Sequence, residues 1–415
     1  MTEITIPVAD LQIGYYIKLP MSWKSHPFLL NAFCIKDSNQ LAQLRSLGLT
    51  ELTVIPEKSK IAIIPSQSEL PIEPETPEPP PEISASKQQQ QQLKRTLRHA
   101  EKSYAESAMQ LKDAFAQLGA KPDASLATIG TLVRNLAGQL LQDEGPYGLQ
   151  SVRVSPQSDP LIVHSLNVAI LSMLMAKELG WSRLDIEDAG TAALLHDVGE
   201  LRVPHQILYK RTELTKAELS YMHMHPQYGF DLLTTIHACT PKIRNAVLQH
   251  HEWLDGSGYP KQLTAEKLSS LSRLLAVTDF VDELLHPRNC KLAINPNQVL
   301  FRLYKKSGKQ LDASLTQLLI KLMGIYPPGS FIKLSDESVG QVISSHPIHP
   351  RQPVILPYVR GQRPETAELI DLQIDERQIT CAIDAHDLTN TQKSFFSLEH
   401  HFCFYFYSYS VITAC

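Results

Sequence analysis

His196-Asp197-Val198-Gly199-Glu200 and, farther along, His250-His251-Glu252-Trp253-Leu254-Asp255-Gly256-Ser257-Gly258-Tyr259-Pro260 are the stretches from which the rest of the chain is read. An adjacent His-Asp pair offers an imidazole nitrogen and a carboxylate that can bridge two cations. His250-His251 adds two more imidazoles. Nitrogen and carboxylate donors together suit borderline metals such as Fe, Mn or Zn, and not Ca. The run from Asp255 to Pro260 is dense in turn residues, so it predicts a loop. Beside a metal pair, such a loop can form one wall of a ligand pocket.

The chain has 415 residues, enough for two or three domains, and 43% are apolar, enough for a substantial core. A net charge of −4 gives no general reason to expect DNA or other nucleic acid as partner. Cysteines 34, 239, 290, 381, 403 and 415 are scattered with no CxxC, which reads as reduced thiols in a cytoplasmic chain. The start, MTEITIPVADLQIG, lacks the features of a signal peptide. No apolar run of about 18 residues stands out, so no membrane span is expected.

Residues 1–62 read as a small N-terminal α/β domain. Ile4 and Ile6 alternate as in a strand, Tyr15–Leu19 continues the pattern after Gly14, and Leu52–Ile55 is a further strand. Asp37-Ser38-Asn39 starts a helix carrying Leu41, Leu44 and Leu47, stopped by Gly48. Residues 63–85 alternate proline with glutamate and predict a stiff, extended linker. Residues 86–122 predict a long connecting helix with a sparse apolar face: Leu93, Leu97, Ala100, Tyr104, Met109 and Leu111. It could pack on its own chain or form a homodimer helix. The five glutamines 88–92 read as its solvated first turn.

Residues 123–330 predict an all-α domain, so the chain as a whole reads as mainly α. Asp123 is expected to cap a helix that shows Leu126, Ile129, Leu132, Val133, Leu136 and Leu140 on one face. Leu161–Leu179 is a strongly apolar helix with His164 near its start; a lone histidine there is more often a packed core residue than a ligand. His196 and Asp197 follow a helical stretch and are expected at its end. Asp279 lies inside an apolar helix, where a carboxylate needs a partner or a metal. Asp282, one turn on, could instead orient a ligand histidine. Residues 331–415 read as a short β-rich extension with an irregular tail. The aromatic tail HHFCFYFYSYSVITAC reads as an edge strand or an aggregation-prone segment.

The motifs His-Asp-x-Gly, His-His-Glu and Asp-Gly-x-Gly-Tyr-Pro, in that order between about Asp159 and Ile343, resemble the HD-GYP family, a branch of the HD superfamily of metal-dependent phosphohydrolases. Trp23, His26, Pro27 and Phe28 resemble a pattern of the small domain that often precedes it; read on their own, these aromatics fill a small core. The resemblance implies an HD-type helical catalytic domain. It implies His164, His196, Asp197, His225, His250, His251 and Asp279 as ligands of two divalent transition metals, Fe or Mn, that share Asp197. His225 is preferred to His223 because the family's ligand stands immediately before the proline. Some members hold a third metal through a glutamate at the position of Pro160, which cannot ligate, so two metals are expected.

The resemblance also implies hydrolysis of cyclic di-GMP, to pGpG and on to GMP, with His196 and Asp197 at the catalytic centre. Arg288 and Lys291 match basic residues that touch substrate phosphate, and Tyr259 could stack on guanine or only brace its loop. Glu200 replaces a phosphate-binding lysine, and Arg202 could restore the lost charge. That departure supports a second reading: a weak or inactive module that binds cyclic di-GMP and metal and signals through a partner such as a GGDEF-type diguanylate cyclase.

Overall fold

The computed structural model describes residues 4–20, 28, 32–45, 47, 49–59, 82–142, 147–155, 157–210, 212–287, 294–346, 348–397 and 401–408. The proline-rich linker lies largely outside these residues, as do Trp23, His26, Pro27, Arg288 and Lys291. The chain divides into two compact units, 1–87 and 88–415.

In the first unit, strands β1 (Ile4–Pro7), β2 (Tyr16–Lys18), β3 (Ala32–Cys34) and β4 (Glu51–Val54) form an antiparallel sheet in the order β1-β4-β2-β3. Helix α1 (Ser38–Arg45) begins where Asp37 Oδ1 accepts the Gln40 N–H at 2.8 Å. Its Leu44 is buried with Ile6, Ile17, Leu52 and Val54 in one core. Phe28 joins that core and its ring lies 4.6 Å from Phe33.

The second unit opens within α2 (Glu82–Gln117), which is followed by α3 (Pro122–Leu140). Because α2 begins at Glu82, the glutamines 88–92 are not its first turn. Leu93, Ala100, Tyr104 and Leu111 are buried within the chain itself, the first of the two uses foreseen for this helix. Asp123 sits inside the first turn of α3 behind Pro122, and Lys121 occupies the cap position without a side-chain bond. The six apolar residues expected on one face of α3 are all buried.

Strand β5 (Tyr147–Val154) follows, then α4 (Pro160–Glu178), α5 (Arg183–Leu195), α6 (His205–Leu208), α7 (Lys216–Met222), α8 (His225–Thr234), α9 (Pro241–Gln249), α10 (Ser270–Leu285), α11 (Pro296–Lys306) and α12 (Ala313–Met323). Helix α4 is the central pillar: its residues from Leu161 to Ala176 are all buried. Asp159 caps it, its Oδ1 accepting the Leu161 N–H at 3.0 Å, so this carboxylate is used at the helix end. The expectation that nothing is long and apolar enough to cross a membrane needs correcting here. Among the described residues α4 alone has the length and hydropathy, but 83% of that window is buried inside the protein, as befits a core helix. Helices α5 and α10 pack against α4, and α9 packs against α5 and α10. Side-chain caps from Ser182, Thr240 and Ser269 start α5, α9 and α10. Each such cap is worth about 1 kcal/mol and fixes where the helix begins, hence which residues face inward.

After α12 come β6 (Phe331–Leu334), β7 (Val339–Ser344), β8 (Val354–Pro357), β9 (Ile370–Asp371), β10 (Ile379–Ile383), α13 (Asn390–Phe396) and β11 (His401–Ser408). They form one sheet in the order β10-β6-β7-β5-β11, with β8 and β9 branching from β7. Of the two readings of the tail, the edge strand is the one adopted: β11 pairs antiparallel with β5 from His401↔Val154 to Ser408↔Tyr147. Cys403, Phe404, Tyr405 and Phe406 are buried in the main core, and β11 packs on α4.

Candidate metal centre

The His-Asp pair sits where α5 ends. His196 is the C-cap of that helix and Asp197 precedes a 3-10 turn, Val198–Arg202. Leaving the helix at this point turns both side chains toward the same buried histidines and Asp279. His164 enters from the first turns of α4, His225 from the start of α8, His250 and His251 from the end of α9, and Asp279 from the middle of α10. All seven are brought together, in two groups that share no residue: His164, His196 and Asp279; and Asp197, His225, His250 and His251.

Asp197 stands between the groups. Its Oδ2 lies 3.6 Å from His164 Nε2 and 3.5 Å from His196 Nε2, while its Oδ1 lies 3.1 Å from His225 Nε2 and 3.5 Å from His250 Nε2. Asp279 completes the frame, with Oδ1 at 3.0 Å from His164 Nε2 and Oδ2 at 3.3 Å from His251 Nδ1.

The hydrogen bonds behind these rings decide what the inner nitrogens can do. His196 Nδ1 meets the Ala193 carbonyl at 2.7 Å, His225 Nδ1 the Met222 carbonyl at 2.8 Å, and His250 Nδ1 the Val247 carbonyl at 2.6 Å. A carbonyl only accepts, so each Nδ1 carries a proton and a neutral ring turns its Nε2 lone pair inward. Yet the Nε2 atoms face one another, His164 to His196 at 3.1 Å and His225 to His250 at 3.1 Å. In each pair at most one nitrogen can donate, whereas a cation between them satisfies both. Asp197 Oδ1 is fully buried and makes no hydrogen bond. A buried orphan carboxylate oxygen among converging imidazoles is the donor set of a divalent-metal site.

The two carboxylates and two of the five histidines fit this donor set, whereas in His164, His196 and His225 burial is outweighed by the facing carboxylates (Asp279 and Asp282 for His164, Asp197 and Asp279 for His196, Asp197 for His225), which raise the pKa of the imidazoles. Burial opposes charge on Asp197 and Asp279, but neighbouring imidazoles, chiefly His196 for Asp197 and His251 for Asp279, hold both well below the carboxylate range. Burial pushes His250 and His251 down, toward the neutral, ligating form.

The Asp-Gly-x-Gly-Tyr-Pro run is a loop, as its composition predicts, and it folds back over His251: the Tyr259 N–H donates to the His251 carbonyl at 3.1 Å. Buried Glu252 holds the far side, accepting the N–H groups of Lys261 at 2.5 Å and Leu263 at 2.8 Å. Gln310 pins the near side, its carbonyl accepting from Leu254 N at 2.9 Å. Gly258 has no room for a side chain, since a Cβ would lie 2.4 Å from both the His251 carbonyl oxygen and the Trp253 nitrogen. The Tyr259 ring lies 4.6 Å from His251 and stacks on His223 at 4.0 Å, which gives the passed-over histidine a place outside the two groups.

Glu200 is buried in the 3-10 turn, close enough for its charge to act on His225 and Tyr259. Arg202 is exposed and its charge acts on Tyr228. Asp282 is buried and takes the orienting role, its Oδ2 meeting His164 Nδ1 at 2.8 Å. Two residues escaped the sequence reading. Glu283 joins His251 and Asp279 in a third donor group; crowding by protein atoms, then the Asp279 charge, pushes its carboxyl up to about 8, although much of the residue faces solvent. His286 pairs with Asp282, Nδ1 to Oδ1 at 2.7 Å. Both signals were present in the helical spacing, because Glu283 is one turn beyond Asp279 and His286 one turn beyond Asp282.

Residues 139–315 match the HD domain family, and residues 3–128 match a domain of unknown function, DUF3391. A cyclic di-GMP phosphodiesterase of Pseudomonas aeruginosa is 29% identical over 381 residues, which is 88% of this chain and 88% of the relative. The cyclic di-GMP phosphodiesterase PdeB of Borreliella burgdorferi is 28% identical over 47% of this chain and 51% of its own length. The cyclic di-GMP phosphodiesterase response regulator RpfG of Xanthomonas campestris is 34% identical over 36% of this chain and 39% of its own length.

Proposed function

We propose, on the premise that the chain belongs to the HD domain family in its HD-GYP branch, that it is a metal-dependent hydrolase of cyclic di-GMP. The observation that carries this is the convergence of two histidine-carboxylate groups on Asp197 beneath the Tyr259 loop. Two divalent cations held there, Fe or Mn in this reading, would supply water activation and charge for both the attacking and leaving oxygens of a phosphodiester. The chain's own residues do the rest. Asp197 and Asp279 bring negative charge that stays ionised in a buried site. The carbonyls behind His196, His225 and His250 hold each ring in one orientation. The Tyr259 hydroxyl, its pKa raised by burial and then by Glu283, keeps its proton and can donate to a substrate oxygen. A cytoplasmic location belongs to the same proposal. A homodimer through α2 draws less support, because Leu93, Ala100, Tyr104 and Leu111 of its apolar face are buried in its own chain and Met109 is the one left exposed.

The test is metal-loaded protein incubated with cyclic di-GMP, with products separated by chromatography as pGpG and GMP. Linearised product well above a His196→Ala control is expected, and its absence would sink the proposal. Glu200 supports the second reading, a receptor that binds nucleotide and signals through a partner such as a GGDEF-type diguanylate cyclase. Calorimetry showing tight binding of cyclic di-GMP without turnover would favour it.

Glu200→Lys separates the two readings. A carboxylate about 5 Å from a phosphate oxygen repels it by about 3 kcal/mol at an effective dielectric of 20. Replacing it by lysine is expected to raise kcat/KM about tenfold, equivalent to about 1.4 kcal/mol. Metal content, measured by inductively coupled plasma spectrometry, should not change. A fall in bound metal would instead make Glu200 a ligand.

A further inference from the structure

The metal centre is tied to the last described strand of the chain by a buried line of hydrogen bonds. His164 Nδ1 meets Asp282 Oδ2 at 2.8 Å, and Asp282 Oδ1 meets His286 Nδ1 at 2.7 Å. The far nitrogen of His286 donates to the Phe402 carbonyl on β11. A carbonyl only accepts, so the proton on His286 Nε2 is fixed by the strand. A second tie runs parallel: Asn167, one turn after His164 on α4, accepts through Oδ1 from the Phe404 N–H at 3.3 Å and from the Tyr104 hydroxyl at 3.0 Å. His164 and Asn167 share one helix face, so β11 holds that face at two points.

A histidine that ligates a metal is oriented by whatever accepts the proton on its other nitrogen, and loss of such a partner weakens metal binding about 10- to 100-fold. Asp282 is that partner for His164. Asp282 has its own freedom of rotation, and His286 removes it by occupying the second carboxylate oxygen. His286 sits at the C-cap of α10, where a side chain would otherwise fray, and the Phe402 carbonyl keeps it in place.

We propose that His286 is a positioning residue for the metal centre and that β11 is its anchor, so the aromatic tail is a working part of the site. The proposal rests on the reading of His164 as a metal ligand. It acts on one group only: in the second group the rings of His225 and His250 are fixed by local helix carbonyls and His251 Nδ1 faces Asp279 Oδ2 at 3.3 Å, so none of the three is tied to β11.

The test uses the full chain stripped of metal and titrated with Mn(II), followed by electron paramagnetic resonance. His286→Ala is expected to weaken Mn(II) binding at one of two resolved sites about 10- to 100-fold and to leave the other near wild type. His286→Phe keeps the ring volume but neither hydrogen bond, so it should behave alike even where the alanine variant folds poorly. In a His164→Ala background, His286→Ala should add no further loss, because it acts through His164. Wild-type Mn(II) binding by the folded His286 variants, equal weakening of both sites, or a full additional loss in the His164→Ala background would each overturn the inference alone. Wild-type Mn(II) binding by His164→Ala itself would overturn the metal reading and the inference with it.

Discussion

Asp197→Asn is expected to lower hydrolysis of cyclic di-GMP by about a thousandfold and to lower bound metal with it. The substitution keeps the side-chain volume, so the core should not collapse. What changes is charge. Asp197 is the residue that both donor groups approach, through Oδ2 on one side and Oδ1 on the other. An amide offers one acceptor oxygen where two are used, and its NH2 group would point at imidazole nitrogens or at a cation. Metal assistance contributes several kcal/mol of transition-state stabilisation, and about 1.4 kcal/mol is one decade of rate, so a loss of about three decades follows. Product chromatography and metal analysis on the same samples check it, with circular dichroism to show that the fold survives. A variant that keeps more than a tenth of wild-type turnover would mean that Asp197 does not join the two groups in solution.

The site was legible in the sequence where its residues are neighbours in the chain. His196-Asp197 and His250-His251 each place two donors on successive positions at a helix end, and helix ends can be read from local chemistry. His164 was not legible that way. A histidine in an apolar helix reads as core; the family resemblance alone marked it as a ligand, and its contacts with Asp279 and Asp282, more than a hundred positions away, supply the physical reason. The same distance hid the sheet. Strand β5 lies inside a stretch whose other elements are helical, and its eight residues carry no local sign that a partner waits at His401–Ser408. The aromatic tail could be read as strand-forming, but not as the anchor of His286, because that link depends on a backbone carbonyl and not on a residue type. Arg288 and Lys291, substrate contacts implied by resemblance, fall outside the described residues, so of the implied substrate-side residues only Tyr259, Glu200 and Arg202 are described.

Gly199→Ala is expected to destabilise the protein by about 3 kcal/mol and to lower turnover about a hundredfold, although Gly199 has no side chain to ligate, bind or titrate. The 3-10 turn Val198–Arg202 packs directly on α8. A Cβ at Gly199 would lie 2.0 Å from the His225 carbonyl oxygen and 2.5 Å from the Gly229 nitrogen. Both obstacles are backbone atoms, so no rotamer change relieves them; the turn or the start of α8 must move by about 1 Å. Movement of α8 carries His225 out of its place facing His250, and movement of the turn carries Asp197 with it. A misplacement of about 1 Å at a reacting centre costs about two decades of rate. Gly138→Ala is the matched control. That glycine lies inside α3 with nothing within 4 Å of a Cβ, so alanine there should be neutral or stabilising by up to about 1 kcal/mol. Urea denaturation followed by tryptophan fluorescence, with turnover and metal content measured on both variants, distinguishes them. Wild-type stability and turnover in Gly199→Ala would mean that the turn and α8 do not touch as described, and the positions of Asp197 and His225 would have to be redrawn.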